Sequence, residues 1–201
     1  MRRVTGVYAA AMAALLFAGA AGAANEFDHC LLCHGANANG NLGIRAPKIS
    51  GAEPWYLARQ LENFASGARG VPADDAAGHE MGPVGWRLKQ EGQLDAAVKF
   101  IGKLSSKKPA ATLSGNAAHG KELYKACGSC HGAKGEGNPT LQAPALAARS
   151  DWYLVTQLNN YKQGLRGADP RDTYGAQMRA IAATLPDDKA IVDLVAFINT
   201  L

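Results

Sequence analysis

The sequence predicts an all-α chain built twice. Three observations lead there. Apolar residues recur at helical spacing in both halves, no segment alternates as a strand would, and the chain repeats itself. Sliding it by 97 residues superimposes positions 30–104 on 127–201 without a gap, and 26 of the 75 pairs are identical. With only two copies at that period, this is a duplicated domain rather than a solenoid.

The elements follow in chain order. Arg2 and Arg3 precede an apolar stretch from Val7 to Phe17, and small residues then surround a cleavage site after Ala23 or Ala24. That pattern reads as a secretory signal peptide over 1–24. The competing reading is an uncleaved membrane anchor, because the weakly apolar run from Val4 to Ala24 is nearly of spanning length. Alanine and glycine dominate the run, which favours cleavage and export to the periplasm. Domain one then covers 25–104, a linker 105–114 carries Lys107, Lys108 and Pro109, and domain two covers 115–201.

Within domain one, Pro54 suits the first turn of a helix whose apolar stripe is Trp55, Leu57, Ala58, Leu61 and Phe64. In domain two Ser150 reads as the N-cap, and Trp152, Leu154, Val155, Leu158 and Tyr161 repeat the stripe. The last helix of each copy shows spacing i, i+3, i+4, i+7, as Leu94, Ala97, Val98, Ile101 and as Ile191, Leu194, Val195, Ile198. Gly- and Pro-bearing loops at 35–47 and 132–144 separate them.

Composition narrows the function. With 47% hydrophobic and 19% charged residues, the 201-residue chain buries a core and is not disordered. A formal charge of +4 is too small and too mixed for nucleic-acid binding. Two domains near 80 residues are marginal in size and gain from a buried cofactor.

The four cysteines carry the chemistry. They form two C-x-x-C pairs, Cys30/Cys33 and Cys127/Cys130, each followed directly by histidine, His34 or His131. This is the attachment signature of haem c. On a helical turn, residues i and i+3 project from one side, so two thiols reach two vinyl groups and the histidine turns under the porphyrin to bind iron. Zinc would need all four ligands together, yet the pairs lie 97 residues apart. A thioredoxin-like pair would need a βαβ context, which is absent.

Beyond the export segment only Met81 and Met178 remain, each 47 residues after its histidine. A thioether is a soft ligand for haem iron, and His/Met ligation raises the reduction potential. Core filling is the alternative role for a methionine, but it gives no reason for two sole methionines to keep register. His79 is the rival ligand in domain one, although its counterpart is Ala176. His29 and His119 read as surface residues.

The duplicated C-x-x-C-H, the loops ending in Pro-x-Ile and Pro-x-Leu, the Trp-Tyr-Leu-x-x-Gln-Leu helix, the Gly-x-Arg-Gly turn and the late Met together resemble dihaem class I cytochromes c, in particular the cytochrome c4 family. The resemblance covers essentially all of the mature chain. It implies two tandem cytochrome c folds related by a pseudo-twofold axis, with propionate edges facing each other at the domain boundary. It also implies that the Pro47 and Pro144 carbonyls accept from the haem histidines. Arg69 and Arg166 are candidates to neutralise propionates, or else exposed surface arginines. Trp55, Tyr56, Trp152 and Tyr153 belong to haem pockets, the domain interface or plain helix core.

Two departures stand out. Only Asn25 to His29 precede Cys30 in the mature chain, so the first helix of domain one is shortened or missing, and bulky Trp86 stands where domain two has Ala183.

The resemblance implies an electron carrier with two six-coordinate haems. Its partners would be a quinol–cytochrome c reductase, a terminal oxidase or a periplasmic dehydrogenase, with membrane contact only through them. The alternative is a dihaem subunit of a periplasmic dehydrogenase or another haem enzyme. A peroxidase needs a haem that opens a coordination site, and a cysteine-ligated catalytic haem needs a fifth cysteine. Charge distinguishes the halves: residues 25–104 sum to −1 and 105–201 to +3. Asp28, Asp74 and Glu80 oppose Lys125, Arg171 and Gln177, so the first haem is expected at the lower potential, although Arg45 and Lys48 act against the trend.

Overall fold

The computed structural model describes residues 25–201, so the export segment read at 1–24 lies outside the described residues. Within them the chain forms eight α-helices and no extended strand. Domain one holds α1 (His29–His34), α2 (Pro54–Ser66), α3 (Ala76–Gln90) and α4 (Leu94–Gly102). Domain two holds α5 (Ala117–His131), α6 (Asp151–Lys162), α7 (Thr173–Ala182) and α8 (Asp188–Ile198). No described helix is long and apolar enough to cross a membrane.

The stripes read from the sequence become the cores. Phe27, Leu57, Leu88, Val98 and Ile101 are buried together in domain one. Their counterparts 97 residues on, Tyr124, Leu154, Leu185, Val195 and Ile198, are buried together in domain two. Pro54 opens α2 at its first turn, and Gly67 ends it in the left-handed conformation. Ser150 occupies the N-cap position of α6, but its side chain makes no capping bond. The neighbouring Asp151 carboxylate accepts from Trp152 N instead. Asp151 also accepts from Thr112 N and Oγ1 and Leu113 N, which pins the connecting segment onto domain two.

The two departures have physical consequences. Helix α5 runs fifteen residues and crosses α8 so closely that a Cβ on Gly120 would lie 1.9 Å from the Asp193 carbonyl. Its counterpart α1 keeps six residues. Phe27 still packs at a tilt against Phe100 with ring centroids 5.8 Å apart, as Tyr124 does against Phe197 at 5.3 Å. After the methionine the helices diverge. Pro186 follows Leu185 and stops α7 early, since a residue before proline disfavours the helical region. Domain one has Lys89 at that position, so α3 continues to Gln90 and carries Trp86 on its outer face, 57% exposed.

Candidate functional site

Each C-x-x-C-H motif sits at the end of a helix. Cys33 and Cys130 are exposed, Cys30 and Cys127 half-buried, and His34 and His131 buried. The glycine after each histidine has positive φ, 75° at Gly35 and 82° at Gly132, and turns the chain away from the helix. A loop then returns, closed by a bridge between Asn41 and Ala46 or between Asn138 and Ala143. Closure demands glycine: a Cβ at Gly40 would lie 2.9 Å from Lys48 N, and one at Gly137 2.6 Å from Ala145 N.

That loop delivers a proline carbonyl to each histidine. His34 Nδ1 donates to Pro47 O and His131 Nδ1 to Pro144 O, both at 2.7 Å. A carbonyl only accepts, so Nδ1 carries the proton and Nε2 keeps its lone pair. Burial holds both imidazoles below their ordinary pKa, with the proline hydrogen bond opposing in part.

The methionines arrive from the other side. Asp75 and Asp172 cap α3 and α7 through Gly78 N and Gly175 N. His131 Nε2 and Met178 Sδ face each other at 3.5 Å. In domain one His34 and Met81 line one cavity, walled by Leu57, Leu61 and Ile101. Its apolar walls suit a large, flat prosthetic group. A free imidazole nitrogen, a thioether and two thiols on one helical turn fit haem c in both domains. His79 does not join them: it is exposed, and its Nδ1 lies 3.2 Å from Gly70 O.

The arginines depart from the surface alternative. Arg69 and Arg166 are 6% and 4% exposed and meet across the domain boundary. Arg69 donates to Gln60 Oε1 at 2.7 Å, Gln157 Oε1 at 3.0 Å and Tyr153 OH at 3.1 Å. Arg166 donates to Gln157 Oε1 at 2.8 Å, Gln60 Oε1 at 2.8 Å and Tyr56 OH at 3.0 Å. Each glutamine oxygen thus accepts from both arginines, and each tyrosine hydroxyl accepts from the opposite domain's arginine. Asn160 Nδ2 adds a bond to Asp75 Oδ1 at 3.0 Å. Both arginine Nε atoms and the Oδ2 atoms of Asp75 and Asp172 are buried without a partner among the described residues.

Sequence reasoning singled out neither glutamine nor either aspartate as functional. Their identity in both repeats was the available signal. His29 and His119 are also partnered: Arg87 Nη2 lies 2.9 Å from His29 Nε2, and His119 pairs with the buried Asp193.

The family model for cytochrome c matches residues 19–105 and 117–201. A thiosulfate dehydrogenase electron acceptor of Stutzerimonas stutzeri is 33% identical over 164 residues, spanning 76% of this chain and 72% of that protein. Cytochrome c4 of Thiocapsa roseopersicina is 31% identical over 179 residues, spanning 84% and 85%. Among solved structures, the thiosulfate dehydrogenase TsdBA of Marichromatium purpuratum superimposes with a TM-score of 0.68 at 30% identity. The match covers 85% of this chain and 36% of that one.

Proposed function

The chain belongs to the cytochrome c family as a two-domain electron carrier with two covalently bound haem c groups, and on that premise we propose that it acts in the periplasm, accepting electrons from a thiosulfate-oxidising dehydrogenase. When bound, each haem supplies one-electron chemistry between ferrous and ferric iron. Cys30, Cys33, Cys127 and Cys130 anchor the groups, and His34 with Met81 and His131 with Met178 complete the iron coordination. The Pro47 and Pro144 carbonyls hold the imidazoles in one tautomer. Arg69 and Arg166 each offer an unpartnered Nε–H to a propionate. The observation that carries this reading is the paired geometry: the same histidine–proline bond occurs in both domains, with Met81 lining the cavity of His34 and Met178 facing His131.

The partner reading is supported by the two similar proteins whose names mention thiosulfate dehydrogenase. Stopped-flow mixing of the oxidised holoprotein with a purified thiosulfate dehydrogenase and thiosulfate tests it. Haem reduction is expected with the enzyme present and not with thiosulfate alone. Reduction by ascorbate without any by the enzyme would leave a carrier for a different donor.

The domains are expected to differ in potential. Within three residues of the attachment motif and methionine, domain one carries Asp28 and Glu80, and domain two carries Lys125, Lys134 and Arg179, all exposed. Negative charge favours ferric iron. One charge at roughly 10 Å, with an effective dielectric of about 40, moves a one-electron potential by roughly 35 mV, less once salt screens it. The first haem therefore takes the lower potential, by some tens of millivolts. Lys48 works against this trend. It lines the first cavity while its ammonium donates to Ser50 O and, across the boundary, to Ala148 O. Burial, then the charge of Arg149, pulls its pKa down to about 8. Losing that cation as pH rises from 7 to 9 lowers the first potential and widens the gap.

A further inference from the structure

The loops that orient the two histidines are held differently at the domain boundary. The difference falls on residues that the repeats do not share. Glu53 occupies the N-cap position of α2, yet its side chain makes no capping bond to its own helix. It crosses the boundary instead, and Ala145 N donates to Glu53 Oε1 at 2.6 Å. That N–H belongs to the Pro144–Ala145 peptide, whose carbonyl accepts from His131 Nδ1 at 2.7 Å. One peptide unit of domain two therefore links the His131 imidazole to a carboxylate of domain one.

Domain one lacks the reciprocal arrangement. The counterpart of Glu53 is Ser150, and the matching peptide is Pro47–Lys48. Among the described residues no carboxylate bonds Lys48 N, and the Lys48 ammonium reaches across to Ala148 O instead. The charge of Glu53 is only partly offset. Its Oε2 is buried without a hydrogen bond, and Arg149 Nη2 stands 3.8 Å from it. That same Nη2 donates to Gly51 O at 2.7 Å. The charge also reaches the imidazole: burial lowers the His131 pKa, while the Pro144 bond and then Glu53 raise it.

We propose that Glu53 is a positioning residue for the second haem, acting through the Pro144–Ala145 peptide to make His131 a more electron-donating ligand and lower that haem's potential. A carboxylate on the N–H polarises a peptide and strengthens its carbonyl as an acceptor. A stronger acceptor on Nδ1–H raises the basicity of the ligating nitrogen. The charge acts through space in the same direction, because it favours ferric iron. Glu53 thus works with Lys48 against the exposed charges, and docking of the domains draws the two potentials together. The inference rests on His131 as an iron ligand and on no particular electron donor.

Redox titration of the Glu53→Gln and Glu53→Asp holoproteins, with the haems resolved by NMR, tests it. Glutamine keeps an oxygen for Ala145 N and loses the charge. It should raise the potential of the Cys127/Cys130 haem and move the sharing of one electron between the haems about twofold or more toward it. The Cys30/Cys33 haem should move less, and aspartate should give a value between glutamine and the unsubstituted protein. The hyperfine-shifted Nδ1–H signal of His131 should move in Glu53→Gln, whereas a residue that only clamps the domains would leave it in place. An unchanged second potential, equal shifts at both haems, or loss of the Met–iron band in Glu53→Gln would overturn the proposal. A His131 ring without hyperfine shift in the unsubstituted, oxidised protein would instead remove the ligand assignment on which it rests.

Discussion

Replacing Met178 with alanine is expected to remove the Met–iron charge-transfer band of one haem and leave the other intact. The reason is geometric. Met178 Sδ faces His131 Nε2 at 3.5 Å, and no other soft ligand stands near it in sequence. Axial ligands span roughly 0.8 V of haem potential, so losing a thioether should lower that domain's potential by on the order of 0.2 V. Met81→Ala should do the same to domain one. His79 does not rescue it, because it lies on the outer face of α3 beside Gly70. Difference spectra and a redox titration of each variant check this. A band that persists, or a change in both haems at once, would exclude Met ligation as assigned. Truncating a partly buried methionine also costs stability, about 2 kcal/mol or more, so the variants need a folding control.

The second large effect concerns the domain boundary. Arg69→Leu or Arg166→Leu is expected to destabilise the protein by about 1–3 kcal/mol, the usual cost of leaving buried polar groups without a hydrogen-bond donor. Loss of Arg69 takes three bonds with it and leaves Gln60, Gln157 and Tyr153 with fewer donors. Lysine should not restore them, because its single ammonium cannot span the separate acceptors that a planar guanidinium reaches. The double variant should cost less than the sum of the singles, since both arginines bond the same two glutamine oxygens. Denaturant unfolding followed at both haems measures this. Additive costs below about 1 kcal/mol each would show that the network contributes little to docking.

Some of this architecture was legible from residues alone, for chemical reasons. Haem attachment requires two thiols and a histidine within one helical turn, so Cys30, Cys33 and His34 announce themselves. Methionine is rare enough here that two copies in register mark Met81 and Met178 as the proposed ligands. Buried apolar stripes have a fixed period, which placed α2, α4, α6 and α8. The domain boundary was not legible. Gln60, Tyr56 and Asp75 are polar residues whose partners lie about 80–110 positions away, and no local pattern says that they are buried. Arg69 and Arg166 were flagged for propionates, yet most of their donors serve the opposite domain and their own glutamine.

A haem-resolved redox titration of the purified, oxidised holoprotein tests the central claim most directly. The expected result is two haems per chain, both low-spin with a Met–iron band. They should titrate as two one-electron steps some tens of millivolts apart, with the Cys30/Cys33 haem the lower. One haem per chain, a high-spin ferric spectrum, or the lower potential on the Cys127/Cys130 haem would contradict it.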